Sequence, residues 1–163
     1  MPADVFLKID GIKGESTDDK HKEWIEILSF SWGCNQQASA SASTSGGGST
    51  QRVDFADFNI VKTMDSASPL LFKACAKGDH IKEVILELCR AAGDEKLKFM
   101  EYKMADVIIS NVSVGGSGSG DSTESVSFNY GKIEQTYTKQ KREDGTAGGN
   151  VPAGWDLKAN KPV

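Results

Sequence analysis

The residues able to do chemistry are few: three cysteines, two histidines and one carboxylate-rich loop. Cys34, Cys75 and Cys89 are odd in number and none stand in a CxxC spacing, which argues against a disulfide framework or a zinc site. They read as reduced thiols of a protein made in a reducing compartment. A cysteine nucleophile needs a neighbouring base and an oxyanion donor. Cys75 falls on the apolar stripe of an expected helix and Cys89 in an expected strand, so both read as small buried side chains. Cys34 follows Trp32-Gly33, where the sequence leaves its exposure open, and is the least implausible nucleophile. His21 sits in a charged loop and His80 at a strand start, and neither has further ligands at a metal-like spacing, so both read as surface histidines. Glu15, Asp18, Asp19 and Glu23 miss the D-x-D-x-D-G pattern of a calcium loop. Gly116-x-Gly118-x-Gly120 lacks the following helix that a phosphate cradle requires and reads as a hairpin loop. Asn111-Val112-Ser113 is a chance glycosylation sequon, and no G-x-S-x-G occurs. No catalytic constellation emerges. The chain reads as a non-enzyme without metal or cofactor.

The elements that would position these residues are mostly strands. Trp24 to Gly33 alternates over its whole length, which specifies a β-strand. Trp24, Leu28, Phe30 and Trp32 form its expected core face, while Ser29 and Ser31 lie on the face that meets water, a partner or a lumen. A low-complexity arm follows: Ala38, Ser39, Ala40, Ser41, Ala42, Ser43, Thr44, Ser45, Gly46, Gly47 and Gly48, with the segment running to Thr50. Its composition is that of a flexible loop, either a hairpin tip or an arm ordered against a neighbouring chain. Val5 to Ile9 reads as a first strand, and Arg52 to Lys62 as a strand with a break near Ala56-Asp57. One helix is expected, with Ser68 as N-cap, Pro69 at its first position and Gly78 ending it. Leu70 with Ala74, and Leu71 with Cys75, form its buried stripe.

His80 to Arg90, Lys96 to Met104, Val107 to Val114 and Glu124 to Tyr137 (with Phe128 on the core face) read as further strands. Residues 139–153 read as a Gly-rich loop, Gly154 to Lys158 as an edge strand, and Ala159 to Val163 as a fraying tail. Eight or nine strands with one helix make an antiparallel β-sandwich or flattened β-barrel. The 163 residues suit one domain, spanning 1–163, that builds its core without disulfides. A net charge of −4 argues against nucleic-acid binding. No apolar run approaches the roughly 20 residues of a membrane helix. Met1-Pro2-Ala3-Asp4 lacks the basic and apolar regions of a secretory signal, so export by that route is not expected.

Several landmarks resemble, in order, the Hcp (hemolysin-coregulated protein) family of type VI secretion. They are Val5-Phe6-Leu7-Lys8-Ile9 with Gly11-Ile12-Lys13-Gly14-Glu15-Ser16, Ile27 to Gly33, Ser66-Ala67-Ser68-Pro69-Leu70, Val112 to Gly118, and Gly154-Trp155-Asp156. Their colinearity, more than any one of them, carries the resemblance. Phe30 stands where a second Trp is common, and the 38–50 arm is Ala/Ser-rich where others are Gly/Met/His-rich. The resemblance implies a β-barrel with a flanking helix that assembles into a hexameric ring. Rings stack into a tube, tipped by a VgrG-type spike and driven by a contractile sheath. The lumen carries and chaperones effector cargo, and secretion from the bacterial cytoplasm needs no signal peptide. Ser29 and Ser31 then become lumen and cargo candidates, with an ordinary solvent face as the alternative. The 38–50 arm becomes an inter-subunit or inter-ring contact. Two other readings stand beside this one: a monomeric or dimeric β-sandwich ligand-binding module, with Trp155 as its aromatic platform, and an enzyme using Cys34.

Overall fold

The computed structural model describes residues 3–37, 52–92, 95–143 and 146–163. The 38–50 arm lies outside the described residues. The strands, in order, are β1 (Asp4–Ile9), β2 (Ile25–Glu26), β3 (Ser29–Ser31), β4 (Cys34–Asn35), β5 (Asp54–Phe55) and β6 (Phe58–Thr63). The helix α1 (Ser68–Lys77) follows, then β7 (Ile81–Ala92), β8 (Glu95–Gly115), β9 (Thr123–Gln140), β10 (Ala147–Asp156) and β11 (Lys161–Pro162). All the strand pairs are antiparallel. β1, β7, β8, β9 and β6 are neighbours in that order. β2 pairs with β1 and β3 with β6, so the sheet closes on itself through 25–31. Closure covers part of the sheet edge that would otherwise invite foreign pairing, and leaves the outer edge of β3 and the end of β8 unpaired among the described strands. β10 and β11 extend the sheet beyond the closed part, on the C-terminal half of β9.

The closing segment changes partner between two consecutive residues. The Ile27 N–H donates to the Val5 carbonyl at 3.0 Å, and the Leu28 N–H donates to the Val61 carbonyl at 2.8 Å. Successive amides of an extended chain point to opposite edges, so one edge serves β1 and the other β6. The inward face changes parity at the same place. Ile25 and Ile27 are buried before it, and Phe30 and Trp32 pack on the core after it. Leu28, at the switch, is 61% exposed. This corrects the expected single strand from Trp24 to Gly33 with Leu28 inside and Ile25 and Ile27 outside. Trp24 is only half-buried and lies edge-on to His21 rather than in the barrel. A period of two reports which residues share a face only while the strand stays regular, and a turn between partners resets the count. Glu26, on the expected aromatic face, was the local sign of the reset.

The barrel interior is aromatic at this seam. Phe30 stacks on Phe58 with centroids 5.9 Å apart, and Trp32 meets Tyr102 edge-on at 5.7 Å. The Trp32 indole N–H donates to the Tyr130 hydroxyl, which donates in turn to the Ala56 carbonyl at 2.7 Å. Burial pushes the Tyr130 phenol up to about 12. Phe58 and Phe128 are fully enclosed and opposite each other on β6 and β9.

Helix α1 packs Leu71 and Ala74 inward and leaves Cys75 half-buried. Leu70, expected on the same stripe, is 43% exposed, because the contact face follows the Leu71–Ala74 spacing of three. Ser68 is not the N-cap. Ala67 holds that position without a side-chain cap, and Ser68 begins the helix. Gly78 closes it in the left-handed region at φ 65, as a C-terminal glycine can. The loop expected over 139–153 is largely strand: β9 runs to Gln140 and β10 begins at Ala147, with a bulge between Ala147 and Asn150 where Gly149 has φ 130. Backbone pairing to β9 orders a stretch whose glycines hide any side-chain period. Likewise the two strands expected within 96–114 are one, β8, and the 159–163 tail pairs at Lys161–Pro162.

The seam makes a direct prediction. Leu28→Ser leaves the stability of the dilute chain within about 0.5 kcal/mol in urea denaturation, whereas Ile25→Ala costs about 2–5 kcal/mol. The reverse order would mean that the two faces are misassigned.

Candidate functional site

Ser29 and Ser31 are exposed on β3, on the face opposite Phe30. The register shows what they belong to. Ser31 pairs with Asn59, Asn59 with Ser127, and Ser127 with Asn111. One step along, Ser29, Val61, Ser125 and Ser113 form the next rung. Directly paired residues share a face, so β3, β6, the first half of β9 and the last part of β8 present one outer surface of small hydroxyls and amides, interrupted by Val61. The rung between them, Phe30, Ile60, Val126 and Val112, points inward and packs on the core. Side chains tie the surface together: the Ser127 hydroxyl donates to Asn59 Oδ1, and Asn111 Nδ2 donates to the Ser113 hydroxyl at 3.3 Å. At its margin, Asp57 accepts from the Ser110 hydroxyl at 2.6 Å and from Asn129 Nδ2 at 3.0 Å. No described strand pairs with the outer edge of β3, or with the far edge of β8 along Asn111–Gly115.

Sequence reading found only Ser29 and Ser31 of this surface. Asn111 and Ser113, the polar residues of the sequon, lie on it, and Val112 between them points inward. The signal available was the alternation Ser125-Val126-Ser127-Phe128, a strand with one small polar face and one apolar face.

Under one end of this sheet lies a buried ion cluster that no sequence pattern announced. Lys62 has no solvent exposure, and its Nζ contacts Glu124 Oε1, Asp65 Oδ1 at 2.8 Å and the Ser68 hydroxyl at 3.2 Å. The Ser68 hydroxyl donates to Glu124 at 2.7 Å and accepts the Asp65 N–H at 3.0 Å. The cluster thus fastens the start of α1 to β6 and β9 in place of a side-chain cap.

A second cluster corrects the reading of His21, which is 3% exposed rather than a surface residue. Its Nδ1 lies 2.6 Å from Asp18 Oδ2, its Nε2 2.6 Å from Glu87 Oε2, and Cys89 Sγ 3.8 Å from the same Nε2. Phe6 stacks on the ring at 4.1 Å. The hydrogen bond from His21 holds the Asp18 carboxyl below its usual range. Cysteine, histidine and aspartate in this order imitate a nucleophilic triad. The chemistry is opposite: Cys89 is enclosed, and burial, then the Glu87 charge, pushes its thiol up to about 11. An activated thiol needs the reverse shift and access to substrate. Cys34 is exposed beside an apolar cleft of about 190 Å³ lined by Trp32, Phe55, Ile133 and Trp155, with no acid or base in its lining. Trp155 is half-buried there and is no exposed platform. His80 is exposed, as expected.

Two predictions follow from these groups. Lys62→Met strands Glu124 and Asp65 and costs about 3–5 kcal/mol in urea denaturation, with partial recovery when Glu124→Gln is added. An aromatic disulfide reagent at pH 8 modifies Cys34 in the native protein and reaches Cys89 only after unfolding; native-state labelling of Cys89 would contradict the burial described.

The chain matches the family model described as "Type VI secretion system effector, Hcp" over residues 6–137. It is 36% identical to Protein hcp1 of Pseudomonas aeruginosa over 161 residues, 98% of each chain. A solved structure of a type six secretion system protein superposes with a TM-score of 0.92 at 36% identity, covering 99% of this chain and 100% of the other. Hcp1 from Salmonella typhimurium superposes with a TM-score of 0.81 at 39% identity, covering 100% of both chains. The chain therefore belongs to the Hcp family of type VI secretion, a family of secreted structural proteins and not of enzymes.

Proposed function

We propose that this protein is a tube subunit of the type VI machine. Six copies close into a ring, rings stack into a tube, and the tube carries effectors in its lumen as it leaves the cell. The partners in this reading are a VgrG-type spike, a contractile sheath and effector cargo. The observation that supports it best is the two-rung polar surface on a sheet with two unpaired edges. A closed ring needs a heterologous contact, with two different patches on each subunit. The outer edge of β3 and the far edge of β8 are two such patches on opposite sides of one sheet. Joined edge to edge, successive sheets would form a continuous wall whose inner face is the Ser29, Ser31, Asn59 and Ser127 surface. Such a face suits varied cargo: it offers hydrogen-bond donors and acceptors at short reach, and it has neither apolar patches that would trap an unfolded chain nor rows of like charge.

Light scattering after size exclusion tests the ring directly. A species of six times the 17.5 kDa subunit mass is expected at micromolar concentration, and a clean monomer would overturn the reading. Ser31→Gln adds bulk to the exposed face without touching the core. It is expected to leave the ring mass unchanged and to lower the amount of effector that co-purifies. Unchanged co-purification would remove Ser31 from the cargo surface.

A further inference from the structure

The His21 cluster is unused by the tube reading, and its donor set has its own chemistry. Glu87 and Cys89 are two apart on β7, so both side chains leave the same face of the sheet. The 13–24 loop covers that face and lowers His21 between them. Gly14 fixes how closely the loop returns: its N–H donates to the Glu23 carbonyl at 2.7 Å, and a Cβ there would lie 2.4 Å from the Trp24 carbonyl oxygen. One imidazole nitrogen, one sulfur and one carboxylate oxygen thereby converge within 4.8 Å of one another.

We infer that His21, Glu87 and Cys89 form a binding site for a Zn(II)-class divalent cation. Tetrahedral zinc with ordinary bond lengths places nitrogen and sulfur ligands about 3.6 Å apart, and nitrogen and oxygen ligands about 3.3 Å apart. The Sγ–Nε2 distance is already 3.8 Å, and Glu87 Oε2, at 2.6 Å from Nε2, has to withdraw by under an ångström. Asp18 on Nδ1 at 2.6 Å supplies the orienting carboxylate that metal-binding histidines use. The lysines nearby leave the ligand atoms free. Lys98 lies 3.6 Å from the other Glu87 oxygen, Oε1, and Lys96 bonds Asp4 at 2.8 Å and Asp18 at 3.2 Å. Thiolate, imidazole and carboxylate together favour zinc over calcium or magnesium.

Entry of the cation is an exchange without redox. On binding, the Cys89 thiol proton leaves to solvent, together with the Nε2 proton where that nitrogen carries one, and nitrogen, sulfur and Oε2 each donate an electron pair to the metal. A solvent molecule completes the tetrahedron. The bound ion would staple the 13–24 loop to β7.

Cobalt(II) chloride is the probe, added to chelator-treated full-length protein during refolding so that the enclosed site is accessible. The expected result is one equivalent bound per chain, a thiolate-to-cobalt band in the near ultraviolet and strong tetrahedral bands in the visible. The spectrum persists in Cys34→Ser and disappears in Cys89→Ala, and zinc chloride displaces cobalt and raises the thermal midpoint. A spectrum without the thiolate band, or one that follows Cys34, means surface binding and overturns the site. If Cys89→Ala fails to fold, the wild-type spectrum and its persistence in Cys34→Ser still decide. The ring mass is measured on the same samples, so failure of the metal site and failure of the tube reading are separate outcomes.

Discussion

One segment has to close the barrel from both sides. Residues 25–31 bond to β1 with one edge and to β6 with the other, and the exchange happens between the amides of Ile27 and Leu28. Most of the molecule depends on this. The parity switch puts Ile25 and Ile27 inside at one end and Phe30 and Trp32 inside at the other. It also sets Ser29 and Ser31 outward, in register with Asn59 and Ser127 across the sheet. Without the switch, the serines would face the aromatic core and the outer polar surface would not form.

The same sheet carries two incompatible demands. Its inner rung of Phe30, Ile60, Val126 and Val112 is apolar, and its outer rungs are hydroxyl and amide apart from Val61. Strand geometry separates the two at no cost, since neighbours along the chain point to opposite faces. The expense lies at the end of β6, where Lys62 turns inward. An enclosed ammonium is tolerable only when its partners are also held in place, and Glu124 from β9 with Asp65 and Ser68 from the turn into α1 do so. The helix start is therefore fixed by tertiary ion pairing rather than by a local cap.

The two clusters differ in how legible they were. Lys62 sits at an alternation position that predicts burial, next to Ile60, yet lysine type argued for solvent. His21 was judged by its charged neighbours, and in a loop those say little about which element the loop will cover. Its partners Glu87 and Cys89 are 66 and 68 residues away. The strand at Ala147–Asp156 was hidden for another reason: its order comes from main-chain pairing to β9, which glycine and proline content conceals.

Sequence alone determined the β class, the helix between Ser68 and Gly78, the break at Ala56-Asp57 and, through colinear landmarks, the family. These rest on local periods, turn residues and caps, which act over a few residues. It also determined that Ser29 and Ser31 oppose Phe30 and Trp32, because strand alternation holds within β3. Tertiary structure alone decided that Leu28 lies outside and Ile25 inside, that Asn111 and Ser127 join Ser31 on one surface, and that His21 is enclosed with Cys89. Each of these is a matter of which strand lies beside which and where a partner changes. Such registers are set by closing a sheet over the whole chain, and no window of neighbouring residues contains them.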